Sequence, residues 1–193
     1  MYNRGVERRA IFIDDQDYTV FLGLLKKYLA GEEQARKNRH PYTRLDQEVE
    51  LLAYCLMPNH FHLLFRQTTS EGITKLMRRL STGYVMYFNN RYGRVGSLFQ
   101  GKFRASRINA ENYLQHVSRY IHLNPQSYKT WPYSSLVYYR GDKKIPLWLT
   151  IAPIMEIFED RRVDYLEFVD QHQDTMRELS ILKWQLANNP DDE

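Results

Sequence analysis

The sequence predicts an α+β fold, an antiparallel sheet of short strands with amphipathic helices packed on it. Three observations carry that prediction. Apolar residues recur at helical spacing in three separate stretches, two strongly apolar runs stand back to back across a Pro-Asn break, and glycine or asparagine punctuation divides the segments.

Taken in order, a short strand is expected within residues 2–12, then a helix over 14–29. That helix has Asp14, Asp15 and Asp17 at its start, Lys26 and Lys27 at its end, and Val20, Phe21, Leu24, Leu25 and Tyr28 on one stripe. The polar stretch 30–47, with Arg36–Arg39 and Pro41, reads as a loop or a frayed helix end. Residues 49–65 are the most apolar part of the chain and break at Met57-Pro58-Asn59. Proline cannot donate to a ladder and Pro-Asn favours a turn, so strands over 49–56 and 60–67 follow. Ile73, Leu76, Met77, Leu80, Tyr84 and Phe88 mark a second helix over 72–90. Residues 91–101 hold three glycines and read as a loop, 103–108 as a short strand, and 110–123 as a third helix stopped by Asn124-Pro125. The order strand, helix, strand, strand, helix, strand, helix is the split βαβ of a ferredoxin-like α/β sandwich, with the helices on one face of the antiparallel sheet. After Gly141 the character changes, and 151–158 and 163–186 read as helices of an acidic extension. Two parts are therefore expected, residues 1–142 as the main domain and 143–193 as a helical C-terminal extension.

At 193 residues and 43% hydrophobic, the chain has material for a core, which excludes wholesale disorder. No apolar run reaches the ~18 residues of a membrane span, the polar start is no secretory signal, and a cytoplasmic protein without a membrane partner is expected. The single cysteine, Cys55, forbids an internal disulfide and a cysteine-based zinc cluster. The net charge of +4 conceals an asymmetry, since residues 1–142 carry +9 and residues 143–193 carry −5. Residues 72–110 hold Lys75, Arg78, Arg79, Arg91, Arg94, Lys102, Arg104 and Arg107 and no acid. These alternate with Tyr84, Tyr87, Phe88, Tyr92, Phe99 and Phe103. Cations that neutralise phosphates, interleaved with rings on which bases stack, suit single-stranded nucleic acid, and the competing reading is a basic amphipathic helix with core aromatics.

His60-Phe61-His62 is the sharpest local signal for chemistry. Residues i and i+2 of a strand share a face, so both imidazoles can reach one ion while Phe61 enters the core, with a third ligand needed to complete the shell. Tyr120 and Asn124 are i,i+4 neighbours at the end of the third helix. If that helix packs beside the histidine strand, Asn124 can offer an amide oxygen to a metal while Tyr120 presents a phenol. Tyr113, on the same helix face, competes with Tyr120 for that role, and both also fit as core tyrosines.

The motifs MPNHFHLLF (57–65) and RYIHLNP (119–125) together resemble the single-tyrosine HUH transposases, and within them the REP-associated tyrosine transposases. YNRGVERRAIFIDDQDY (2–18), YFNNRYGRVGSLFQGKFRA (87–105) and WPYSSLVYYRG (131–141) extend the resemblance over residues 2–141. It implies Tyr120 as the nucleophile and His60, His62 and Asn124 as ligands of Mg²⁺ or Mn²⁺, with Asn124 where insertion-sequence relatives carry glutamine. It implies attack on a phosphodiester, a 5′-phosphotyrosine link, a free 3′-OH, and strand transfer by the reverse attack. The substrate would be single-stranded DNA with hairpins formed by palindromic repeats, in a nucleoid-associated protein acting as a monomer or homodimer. Arg4, Lys75, Arg78, Arg79, Arg91, Lys102, Arg104 and Arg107 are the expected DNA contacts, with Arg8 and Arg9 also plausible. Two other readings stay open on the residues alone: a catalytically idle DNA-hairpin binder, and a metal-dependent phosphodiesterase that activates water.

Overall fold

A computed structural model describes residues 1–30, 44–108 and 111–171 of the chain. Most of the expected loop 30–47 and the end of the expected helix 163–186 lie outside those residues. Three antiparallel strands, β1 (Tyr2–Arg4), β2 (Val49–Met57) and β3 (His60–Gln67), are ordered β1-β3-β2. On the free edge of β1 the chain around Phe99–Arg104 pairs through isolated bridges, with Tyr2 and Arg104 exchanging both backbone hydrogen bonds at 2.9 Å. Counted with that segment, the sheet has the order of a ferredoxin-like sandwich. The strand expected over 103–108 is displaced to this earlier position. Its partner β1 is three residues long, so the chain beyond Arg104 has no β1 backbone left to pair with.

Helix α1 (Asp15–Leu29) starts where its capping residue dictates, the Asp14 carboxylate accepting from Gln16 N and Asp17 N at 3.1 and 3.3 Å. It buries Phe21, Leu25 and Tyr28. Helix α2 (Gly72–Arg91) buries Leu76, Met77, Leu80, Tyr84 and Phe88. Its first residue must be glycine, because a Cβ there would lie 2.7 Å from the Val49 side chain and 2.8 Å from Glu48 O. Both helices cover the Phe61 face of the sheet, where Phe21 lies 5.1 Å from Phe61 and 5.1 Å from Tyr84.

Helix α3 (Glu111–His122) corrects the expectation of helices on one face. It crosses the opposite face, with Tyr120 against His62. Short helices α4 (Leu136–Tyr139) and α5 (Ala152–Met155), a 3-10 turn (Glu156–Phe158) and helix α6 (Arg162–Asp170) follow. They pack on α3 and on the outer edge of β2, where Thr150 N donates to Leu51 O at 2.9 Å and Tyr139 Oη donates to Leu52 O at 2.8 Å. The helix expected over 151–158 is thus half α and half 3-10, and left-handed Glu159 and Asp160 end it. His122 is fully buried in this layer, with Tyr165 Oη at 2.6 Å from Nδ1 and Ser135 Oγ at 2.7 Å from Nε2. Burial drives its pKa down to about 3, so the ring is neutral and locks α3 to α4 and α6. Among the described residues no helix is long and apolar enough to cross a membrane.

Candidate active site

Strand parity builds the site. Cys55 stands opposite His62, Leu56 opposite Phe61 and Met57 opposite His60, while β1 sets Tyr2 opposite His62 and Arg4 opposite His60. Directly opposed residues share a face. Tyr2, Arg4, His60 and His62 therefore form one surface with Cys55 and Met57, and Asn3, Phe61 and Leu56 point to the other. The two imidazole centroids are 5.2 Å apart, and the Tyr2 ring lies 5.7 Å from His60 and 5.0 Å from His62.

Helix α3 carries the remaining groups onto this surface. The Tyr120 ring meets His62 edge-on at 5.1 Å, and Asn124, just beyond the helix end, reaches His60 Nε2 with Oδ1 at 3.0 Å. His60, His62, Tyr120 and Asn124 thus converge in one chain. The other candidate tyrosine, Tyr113, stands with its ring 6.2 Å from His116, two helical turns from Tyr120.

Burial sets the electrostatics. Tyr120 is 8% exposed, and desolvation pushes its phenol above the ordinary range, helped by neighbouring Tyr2; the Asn124 hydrogen bond and the Arg4 charge pull the other way. Desolvation also lowers the pKa of His60, against the Asn124 hydrogen bond, so the imidazole is neutral and competent as a ligand. Asn59 orients the ring, its Oδ1 lying 2.6 Å from His60 Nδ1. Its Nε2 faces the Asn124 oxygen at 3.0 Å.

His60 Nε2 and Asn124 Oδ1 lie 3.0 Å apart, and each is an atom type that can ligate a divalent cation. That separation also equals the roughly 3 Å between adjacent ligands of an octahedral ion held at about 2.1 Å. The donor set therefore fits a small divalent cation held by His60, His62 and Asn124. It lies outside the usual acidic or thiolate constellations: among the described residues no group of three or more His, Cys, Asp and Glu is placed to hold a metal. Cys55 forms part of the floor as a thiol, because burial pushes its pKa far up.

The cations separate into two groups. Arg91 is tied into the structure, bonding both Asp14 oxygens at 2.9 and 2.6 Å and buried Asp17 at 2.9 Å, so it braces α2 against the α1 cap. Lys75 pairs with Glu48 at 2.7 Å, and with Arg78 and Arg79 it stands on α2, across the sheet from Tyr120. Arg4 and Arg104 flank Tyr2 on the histidine side, and Lys102 and Arg107 are exposed on the adjoining edge segment. The interleaved aromatics do not form the stacking surface expected from the sequence. Tyr84, Phe88 and Phe99 are at most 5% exposed, and the Tyr87 and Tyr92 hydroxyls both donate to Asp17 at 2.9 Å.

Two residues of the site escaped the sequence reading. Asn59 reads as a turn former, and its position immediately before His60 is the one hint of its second role. Tyr2 sits on a strand too short to show alternation. Residues 26–124 match the family described as transposase IS200 like, a span that takes in His60, His62, Tyr120 and Asn124. No curated protein and no solved structure matches the chain.

Proposed function

The chain belongs to the IS200-like transposases, hence to a family of DNA-acting enzymes, and on that premise we propose that it nicks and rejoins single-stranded DNA through a covalent bond to Tyr120. The observation that carries the proposal is the convergence of one phenol with two imidazoles and an amide, Tyr120 on His62 and Asn124 on His60. Among the described residues no serine or carboxylate pair competes at this surface, and the buried Cys55 thiol is protonated.

In the proposed reaction the Tyr120 oxygen attacks the scissile phosphorus in line. The new O–P bond leaves a 5′-phosphotyrosine, the bond to the 3′ oxygen breaks, and that oxygen departs as a free 3′-OH. Attack by another 3′-OH on the phosphotyrosine reverses the step and transfers the strand, so the phosphodiester energy is conserved and no external energy source enters. Tyr120 must lose its proton as it attacks, and burial alone would hinder that. Asn124 and Arg4 oppose the hindrance, the first by a hydrogen bond and the second by charge. Asn59 holds the His60 ring so that Nε2 faces the site. His60, His62 and Asn124 would hold a Mg²⁺ or Mn²⁺ ion, which when bound polarises a phosphoryl oxygen and offsets developing charge. The four residues lie in one chain, which supports a site that works in cis. The substrate we propose is a DNA hairpin with single-stranded flanks, after the REP-associated branch the sequence resembles.

Covalent capture tests the proposal. Labelled single-stranded oligonucleotides from the gene's own flanks, incubated with the protein and Mn²⁺ and run on denaturing gels, should give a shifted protein–DNA band. The band should vanish in Tyr120→Phe. Cleavage that survives Tyr120→Phe would mean that water is the nucleophile, and binding without any cleavage would mean an idle hairpin binder.

A further inference from the structure

The chain between β1 and Ile11 holds a conformation that has to be explained. Glu7 and Arg8 are consecutive non-glycine residues at φ 54° and 60°, in the left-handed region. The turn they form is tightly closed, with Arg8 N on Gly5 O at 3.0 Å and Arg9 N on Val6 O at 3.1 Å. Gly5 is required there, because a Cβ would lie 2.3 Å from Arg9 O. Asn59 clamps the turn from the site side, its backbone carbonyl accepting from Gly5 N at 2.9 Å and its Nδ2 donating to Arg8 O at 3.2 Å. The residue that orients His60 thus also holds a strained, arginine-bearing turn in place, and strain maintained beside a reactive site points to a task for the side chains it aims.

We propose that Arg4, Arg8 and Arg104 form a phosphate subsite beside Tyr2, which grips a backbone phosphate of the single strand next to the scissile one. Arg104 and Arg4 are placed by the sheet, Arg104 as the bridge partner of Tyr2 and Arg4 as the pairing partner of His60. The Arg4 guanidinium lies 5.4 Å from the Tyr2 ring centre, and its buried Nε has no hydrogen-bond partner. None of the three arginines forms an ion pair among the described residues, in contrast to Arg91 and Lys75. A buried guanidinium nitrogen with no partner and three uncompensated charges are what an oxyanion of a phosphodiester satisfies. The subsite rests on the single-strand reading proposed above and specifies which side chains carry the backbone.

Salt dependence tests it. The full chain carrying Tyr120→Phe, which cannot form an adduct, is titrated into fluorescein-labelled oligothymidylate of 20 nucleotides at several NaCl concentrations. Arg4→Gln, Arg8→Gln and Arg104→Gln together should lower the log–log slope by about 2, at ~0.7 for each lost single-strand phosphate contact. Because Arg4 is half-buried, the exposed pair Arg8→Gln and Arg104→Gln serves as a second variant, with an expected fall of about 1.4. A slope unchanged in both variants, or absence of binding by the parent chain, overturns the subsite. Adduct formation by the chain with Tyr120 intact reports separately on the cleavage proposal, so an unchanged slope with an adduct removes only the subsite.

Discussion

The two faces of one hairpin strand do opposite work. On one side of β3, Phe61 is completely buried among Phe21 and Phe99, in an apolar layer roofed by α1 and α2. On the other, His60 and His62 stand among Tyr2, Tyr120, Asn124 and Arg4, a surface of rings, lone pairs and unpaired charge. Neighbouring residues in sequence thus divide between the core and the candidate site by parity alone. A pair of histidines separates along the same line. Both rings have partners on both nitrogens, but His122 is fully buried between Tyr165 and Ser135, whereas His60 is half-buried at the site, between Asn59 and Asn124.

The sharpest way to break this comparison is to mutate across the strand. Phe61→Ala should cost about 3–5 kcal/mol of stability, as for a buried phenylalanine reduced to a cavity. His60→Ala should cost about 1–2 kcal/mol, the order expected when partnered polar groups are left without a mate, yet abolish the covalent adduct. Urea melts of both variants check this, and equal costs would mean that the histidine face is structural too.

The histidine pair yields a pH prediction. His122 has a folded pKa near 3 against about 6.5 unfolded, so in that interval the unfolded chain binds the extra proton. Stability is complete above pH 6.5 and falls by roughly 1 kcal/mol per pH unit below it. His122→Gln, less stable at neutral pH, should show a flatter decline between pH 6.5 and 4.5 in denaturant melts. Parallel curves for the two proteins would contradict the buried neutral ring.

A smaller effect is expected one residue before the site. Asn59→Ala frees the His60 ring and releases the Arg8 turn, and should lower metal-dependent cleavage about 10–100-fold, the usual cost of losing a partner that orients a metal-ligating histidine. Titrating Mn²⁺ against adduct yield checks it, and an unchanged metal midpoint would assign Asn59 to the turn alone.

Much of this was legible from residue order. The Pro-Asn break located the β2–β3 hairpin, and the i,i+2 spacing of His60 and His62 set their common face. The side of the sheet that α3 covers was not legible, because helical periodicity records which residues of α3 are buried and not what buries them. The basic segment misled for a related reason. Tyr84 and Phe88 occupy the same helical stripe whether they face a base or Phe12 and Phe21, and only the packing of α1 on α2 separates the two. Asn59 and Tyr2 act through backbone register and the turn that β1 enters, which are properties of paired strands.

The central claim is the identity of the nucleophile, and one measurement addresses it most directly. The covalent complex with single-stranded DNA is digested with nuclease and trypsin, and the nucleotide-bearing peptide is sequenced by tandem mass spectrometry. Trypsin should release residues 120–129, YIHLNPQSYK, which contain both Tyr120 and Tyr128. The account predicts a nucleotide phosphate on Tyr120, and a phosphate on Tyr128, Tyr113 or Tyr2 instead would contradict it.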